Sequence, residues 1–176
     1  DRSPSRGLGD VYKRQDYLID TFGTQDFDKI IPLDYADNIN PRYFFDGSLS
    51  KKSASFKNSN RANVYDLSPY DETLLMDTDY IVSNDLLKSC FESNSDLMLY
   101  KKSDDIAKVR DEDEFKNISN TSVEFYWATV VFFRKTATNK IFFDLIKHIE
   151  EEWNHYRRVY QITSKLFRND FAFSIA

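Results

Sequence analysis

A chain of 176 residues with 41% apolar and 30% charged residues can bury one hydrophobic core, which argues against a disordered polymer and for one globular domain. A net charge of −5 and a pI near 5.1 exclude a surface built to grip nucleic-acid phosphates, which needs clustered Lys and Arg. No apolar run reaches membrane-spanning length, and the lone Cys90 has no partner for an internal disulfide, so the expected setting is reducing and cytoplasmic, with no transmembrane segment.

Residues 5–15 resemble the translation of a transposase-type sequencing adaptor. Residues 1–15 are therefore set aside from fold reasoning, and 16–176 is the expected natural segment. The apolar stretch from Phe171 to Ala176 carries no helix-stop signal, so the domain is expected to be incomplete at both ends.

Residues 27–33 read as a short strand with Pro32 near its end, followed by a polar loop through Asn40 and Pro41. Residues 53–67 carry a weak helical stripe of Phe56, Val64 and Leu67, which Ser68 and Pro69 end. The continuous apolar run 73–76 predicts a strand buried on both faces. Asp77 and Asp79 interrupt it, Tyr80, Ile81 and Val82 resume it, and Ser83 to Asp85 offer an N-cap for a short helix reaching about Glu92. Residues 96–100 form the next expected strand. Residues 101–120 are a charged loop whose acidic run 111–114 suits a solvated surface. Residues 123–134, with Trp127 among them, are strongly β-prone. A single long helix is predicted from just after Thr138 to about Tyr160, since Phe142, Leu145, Ile146, Ile149, Trp153, Tyr156 and Tyr160 keep the spacing of one buried face. Strands alternating with helices make this an α/β domain, with a mixed sheet covered on both sides.

The chemistry concentrates at Asp77 and Asp79. Two carboxylates one residue apart at the end of a buried strand each pay desolvation and repel each other unless something neutralises them. A hard dication, Mg²⁺ or Mn²⁺, suits oxygen ligands and leaves positions open for phosphate oxygens. Strand ends are also where open α/β sheets bind ligands. The bland reading is a pair of surface acids at a strand-to-helix turn, one of them capping.

A helix bearing Arg61, a Pro69-Tyr70-Asp71 turn, an apolar strand and the Asp77-x-Asp79 pair together resemble GT-A glycosyltransferases of the glycogenin-like and lipopolysaccharide galactosyltransferase-like family. The resemblance spans roughly residues 16–176 and is strongest at the two acids. It implies a mainly parallel GT-A sheet flanked by helices, a nucleotide-diphospho-sugar donor and a carbohydrate or other hydroxyl acceptor. Asp77 would meet ribose and metal, Asp79 would coordinate the Mn²⁺ or Mg²⁺ that holds the diphosphate, and Arg61 would lie near the donor sugar. An ordinary ion pair is the other reading of Arg61. The strand around Trp127-Ala128-Thr129 resembles the family's strand near the acceptor site; Trp127 could stack on a sugar ring or simply fill the core. Arg168-Asn169-Asp170 resembles, by its place after the long helix, the family's Asp-Gln-Asp region. That makes Asn169 a substrate-binding candidate and Asp170 a catalytic or sugar-binding one, with a helix N-cap as the alternative.

The sequence departs from the family in lacking the first nucleotide-binding strand and the C-terminal histidine of the metal site. His148 and His155, seven apart on the edge of an amphipathic helix, read as surface residues rather than substitutes. Two other functions compete. A haloacid-dehalogenase-like phosphatase would use Asp77 as nucleophile and Asp79 as acid/base, but its later acidic pair has only Asp104-Asp105 to draw on, close by in sequence. A non-catalytic carbohydrate-binding or structural relative would keep the sheet without turnover.

Overall fold

A computed structural model of the chain describes residues 29, 31, 41–45, 51–55, 59–77, 80–103 and 116–176. The chain divides into two compact units, Asp1–Asn60 and Arg61–Ala176. Of the expected strand at 27–33, only Lys29 and Ile31 are described, and neither belongs to a strand.

In the first unit, β1 (Pro41–Phe45) pairs antiparallel with β2 (Lys51–Ser55), Pro41 opposite Ser55 and Phe45 opposite Lys51. This hairpin replaces the expected loop at Pro41 and the beginning of the expected helix at 53. Proline is tolerated as the first residue of a strand, and Tyr43, Phe44 and Phe45 favour extended backbone.

A 3₁₀ turn, Ser59–Asn63, runs into the single helical turn α1 (Val64–Leu67). Ser68 ends α1 in extended backbone, as a residue before proline prefers. Three strands follow, β3 (Glu72–Met76), β4 (Leu97–Tyr100) and β5 (Trp127–Arg134), and they assemble in the order β3-β5-β4. Both pairings are antiparallel, with Leu75 and Leu99 opposite Val131 and Thr73 and Leu97 opposite Phe133.

The second unit thus mixes helices and strands as expected of an α/β chain, but its described sheet is antiparallel rather than mixed or mainly parallel. The reason lies in β5. A 3₁₀ turn (Leu86–Lys88) and α2 (Ser89–Glu92) connect β3 to β4, which run the same way, and β5 returns between them instead of adding at an edge. The strand buried on both faces is consequently β5, whose Val131 and Phe133 are fully covered, while Thr73 to Met76 of β3 are only half-buried.

Alternation along β5 divides its side chains between two layers. Val131 and Phe133 face a core shared with Tyr65, Phe143, Ile146, Ile149 and Phe173, in which the Phe133 and Phe143 rings meet edge to face at 4.8 Å. Phe132 points the other way and meets Phe91 of α2 edge to face at 5.1 Å. Helices therefore cover both faces. Among the described residues no helix is long and apolar enough to cross a membrane.

The expected long helix is two. Thr136 caps α3 (Ala137–Glu151) by accepting from the Asn139 N–H, two residues before the expected start. The backbone then leaves helical geometry at Glu152 and resumes in α4 (Trp153–Val159). Glu150, Glu151 and Glu152 crowd the negative end of the α3 dipole, where like charge is unfavourable. The buried stripe nevertheless continues from Ile149 to Trp153, whose indole N–H donates to the Lys165 carbonyl at 3.1 Å. After α4, Gln161 adopts φ 53° and the Ile162 and Gln161 N–H groups donate to the Arg157 and Arg158 carbonyls, closing the helix in a Schellman motif. The last helix is α5 (Asn169–Ile175).

Two stability predictions follow from these helix ends. Burial, with Glu151 adding repulsion, pushes the Glu150 carboxyl up to about 7. A carboxyl raised in the folded state favours folding most below its unfolded value, and that favour is lost as pH rises toward 7. Glu150→Gln should therefore melt higher than the parent at pH 8, with the difference shrinking toward pH 4.5. Equal melting differences at both pH values would contradict this account. Gln161→Gly should raise stability by about 1 kcal/mol in urea titrations, because only glycine takes the left-handed region without steric cost.

Candidate functional site

The end of β3 carries the first cluster. The Asp77 N–H extends the ladder by donating to the Thr129 carbonyl at 3.0 Å. Arg61, from the 3₁₀ turn, donates through one terminal nitrogen to Asp77 Oδ1 at 2.5 Å and through the other to that same Thr129 carbonyl at 3.0 Å. The turn is held in place by its neighbours. Ala62 is 1% exposed in the core, and the Tyr65 hydroxyl donates to the Thr136 carbonyl at 2.8 Å. Tyr80 completes the group: its N–H donates to the Asp77 carbonyl, and its hydroxyl lies 3.3 Å from Thr129 Oγ1.

Arg61 and Asp77, sixteen residues apart, thus meet, and they meet as an ion pair with side chains 12% and 24% exposed. The charge on Asp77 is balanced by a guanidinium, so its burial does not by itself require a dication. Asp79 lies outside the described residues, as do Asp104-Asp105 and the acidic run 111–114. Among the described residues, no group of three His, Cys, Asp or Glu side chains could hold a metal ion. A Mg²⁺ or Mn²⁺ ion bound through a nucleotide commonly uses only one or two carboxylates, the rest of its shell being phosphate and water. Of the two sequence-predicted carboxylates only Asp77 is described, and its Oδ2 is not engaged among the described residues.

The second cluster lies across β5. Asp170, the second residue of α5, is 8% exposed; its Oδ1 accepts from the Ala128 N–H at 3.0 Å. Its Oδ2 accepts from two nitrogens of Arg168, at 2.7 and 3.1 Å. The Arg168 guanidinium also lies over the Phe171 and Phe125 rings. The expected N-cap role for Asp170 is not seen: Arg168 occupies the cap position, and the carboxylate binds a strand amide instead. Asn169 is buried at 5% exposure. Trp127 opens β5 opposite Tyr100, half-buried, its indole edge to face with Phe125 at 5.0 Å. His148 and His155 are exposed, each edge to face with the Tyr156 ring, and belong to neither cluster.

Both clusters converge on the Ala128-Thr129 segment, so the structure places Arg61, Asp77, Trp127 and Asp170 around the first half of one strand. Thr129 and Tyr80 were missed as participants by sequence reasoning. A backbone carbonyl leaves no mark in a sequence, whereas Tyr80, next to Asp79, could have been noticed by position. Comparison of the chain with protein-family models, with curated protein sequences and with solved structures gives no match.

The Arg61–Asp77 pair yields a direct test. Arg61→Met should destabilise the chain by about 1–3 kcal/mol, as it strips a charged donor from a half-buried carboxylate and from a carbonyl. Adding Asp77→Asn should restore part of that loss. A double-mutant cycle in urea showing strict additivity would remove the pair as an energetic unit.

Proposed function

We propose that the chain carries the donor site of a nucleotide-sugar-dependent glycosyltransferase of the GT-A type, transferring a sugar to a hydroxyl acceptor. One observation carries the reading. Arg61 and Asp77, matched separately to a donor-site arginine and the first acid of a metal-binding pair, come together at the end of a strand in the described sheet. The antiparallel triplet is then one part of a larger mixed sheet. Further strands would add at the edge of β3, which has no strand partner other than β5 among the described residues.

In this reading the residues divide their work. Asp77 Oδ2 and Asp79 would hold Mn²⁺ or Mg²⁺, which when bound supplies Lewis-acid stabilisation of the departing diphosphate. Arg61 keeps Asp77 oriented and places a cation beside the anionic end of the donor. Tyr80, half-exposed above Thr129, closes one side of the diphosphate pocket, and Trp127 offers a ring to the sugar. Asn169, buried next to Asp170 in the chain, remains the further substrate-binding candidate.

Calorimetric titration of the chain with uridine and guanosine diphosphate sugars, with and without Mn²⁺, is the deciding measurement. Asp79→Asn should abolish the metal-dependent part of binding, a loss of at least about tenfold. Unchanged affinity in that variant would overturn the reading. A covalent phosphoryl group trapped on Asp77 would replace it with phosphatase chemistry, and nucleotide binding with no sugar transfer would leave a non-catalytic relative.

A further inference from the structure

β4 and β5 stay in register only as far as Leu99 opposite Val131; an irregularity between Leu99 and Tyr100 then brings Tyr100 opposite Trp127. Residues 128–130 of β5 therefore face a gap in the ladder. Along a strand, the N–H and C=O of one residue point to one edge and those of the next residue to the other. The Thr129 carbonyl points to β3, where the Asp77 N–H and Arg61 bind it, so the Ala128 N–H points to the opposite, interrupted edge. Asp170 supplies the acceptor there through Oδ1. Arg168 holds Oδ2, and the Ser174 hydroxyl, which accepts from the Tyr126 N–H at 2.8 Å, donates to the Asp170 carbonyl at 2.7 Å. One turn of α5 thus grips the start of β5 at Ala128 and, just before the strand, at Tyr126, and Thr129 follows Ala128.

From this arrangement we infer that Asp170 is a positioning residue for the donor site, acting through the Ala128-Thr129 peptide to aim the carbonyl on which Arg61 and Asp77 meet. It does not touch the substrate. Both of its oxygens are engaged, and it is buried on the far edge of the strand from Asp77. The inference rests on the donor-site reading above for its functional half, and on geometry alone for its structural half.

The experiment separates the two halves. Residue-resolved hydrogen exchange on the chain, with no ligand present, should show the Asp77 amide losing protection by about tenfold in Asp170→Ala, because the carbonyl it donates to is no longer held. Asp170→Asn keeps an oxygen for the Ala128 N–H and should stay within about threefold of the parent. If Asp170→Ala does not fold, Arg168→Gln, which leaves the carboxylate but releases it, should give an intermediate loss at Asp77. Protection lost at Ala128 alone, with Asp77 unchanged, would overturn the inference.

Titration with Mn²⁺ and uridine or guanosine diphosphate, lacking sugar, tests the functional half. Affinity should fall about tenfold in Asp170→Ala and be largely recovered in Asp170→Asn. Unchanged diphosphate affinity in Asp170→Ala, with sugar transfer lost in Asp170→Asn, would instead make Asp170 a group that acts on the sugar directly. If the parent chain binds neither diphosphate, the donor-site reading fails, and the exchange result still decides whether Asp170 sets the Thr129 carbonyl.

Discussion

A strand buried on both faces must place every backbone N–H and C=O against a partner, because water cannot reach them. β5 is that strand, and much of the second unit can be derived from the ways its groups are satisfied. At its far end, the Arg134 N–H donates to the Asp96 carbonyl and the Lys135 N–H to that of Asp71, so the loops entering β3 and β4 close over it. In the middle, β3 and β4 supply two complete ladders. At its beginning the ladder with β4 fails, and side chains take over: Asp170 for the Ala128 N–H, Ser174 for Tyr126, and Arg61 as a second donor to the Thr129 carbonyl. Charged groups approach this strand where regular pairing stops, which is also where a ligand can be met by side chains rather than by backbone.

What could be read in the sequence followed from local pattern. The runs at 73–76 and 123–134 announced β3 and β5 because continuous apolar and β-branched residues have few other uses, and the stripe through Ile146 and Ile149 announced α3. The break at Glu152 was hidden because Ile149 and Trp153 keep helical spacing across it, so tertiary burial preserves the pattern while the backbone departs from it. The hairpin of β1 and β2 was hidden for the opposite reason: Lys51–Ser55 has no apolar alternation to mark a strand. Strand order was not readable at all. A strand, a short helix and another strand imply two strands running the same way, but nothing local says that a third, far along the chain, will enter between them.

The site was legible in the same uneven way. Asp170 was read as a catalytic, sugar-binding or capping carboxylate, and its pairing with Arg168 was not read, although opposite charges flanked by Phe167 and Phe171 are costly unless satisfied. Arg61 and Asp77 were singled out separately, by resemblance rather than pattern, and their pairing with each other was not read. Its geometry changes the electrostatic argument, because the repulsion between Asp77 and Asp79 is no longer between two uncompensated carboxylates.

That change bears on what the proposed site would attract. A guanidinium paired with Asp77 sums to neutrality, so the charge left to face a ligand is that of Asp79 together with any bound dication. Such a combination is net positive, and it suits an anionic diphosphate better than two carboxylates sharing one ion without Arg61. Arg61 would otherwise be a poor choice for orientation alone, since its second nitrogen spends a strong donor on a backbone carbonyl. The expenditure makes sense where the cation must stay fixed: held by Asp77 on one side and Thr129 on the other, the guanidinium cannot swing out to neutralise a diphosphate by itself, and a fixed field is what a charge developing on a leaving oxygen requires.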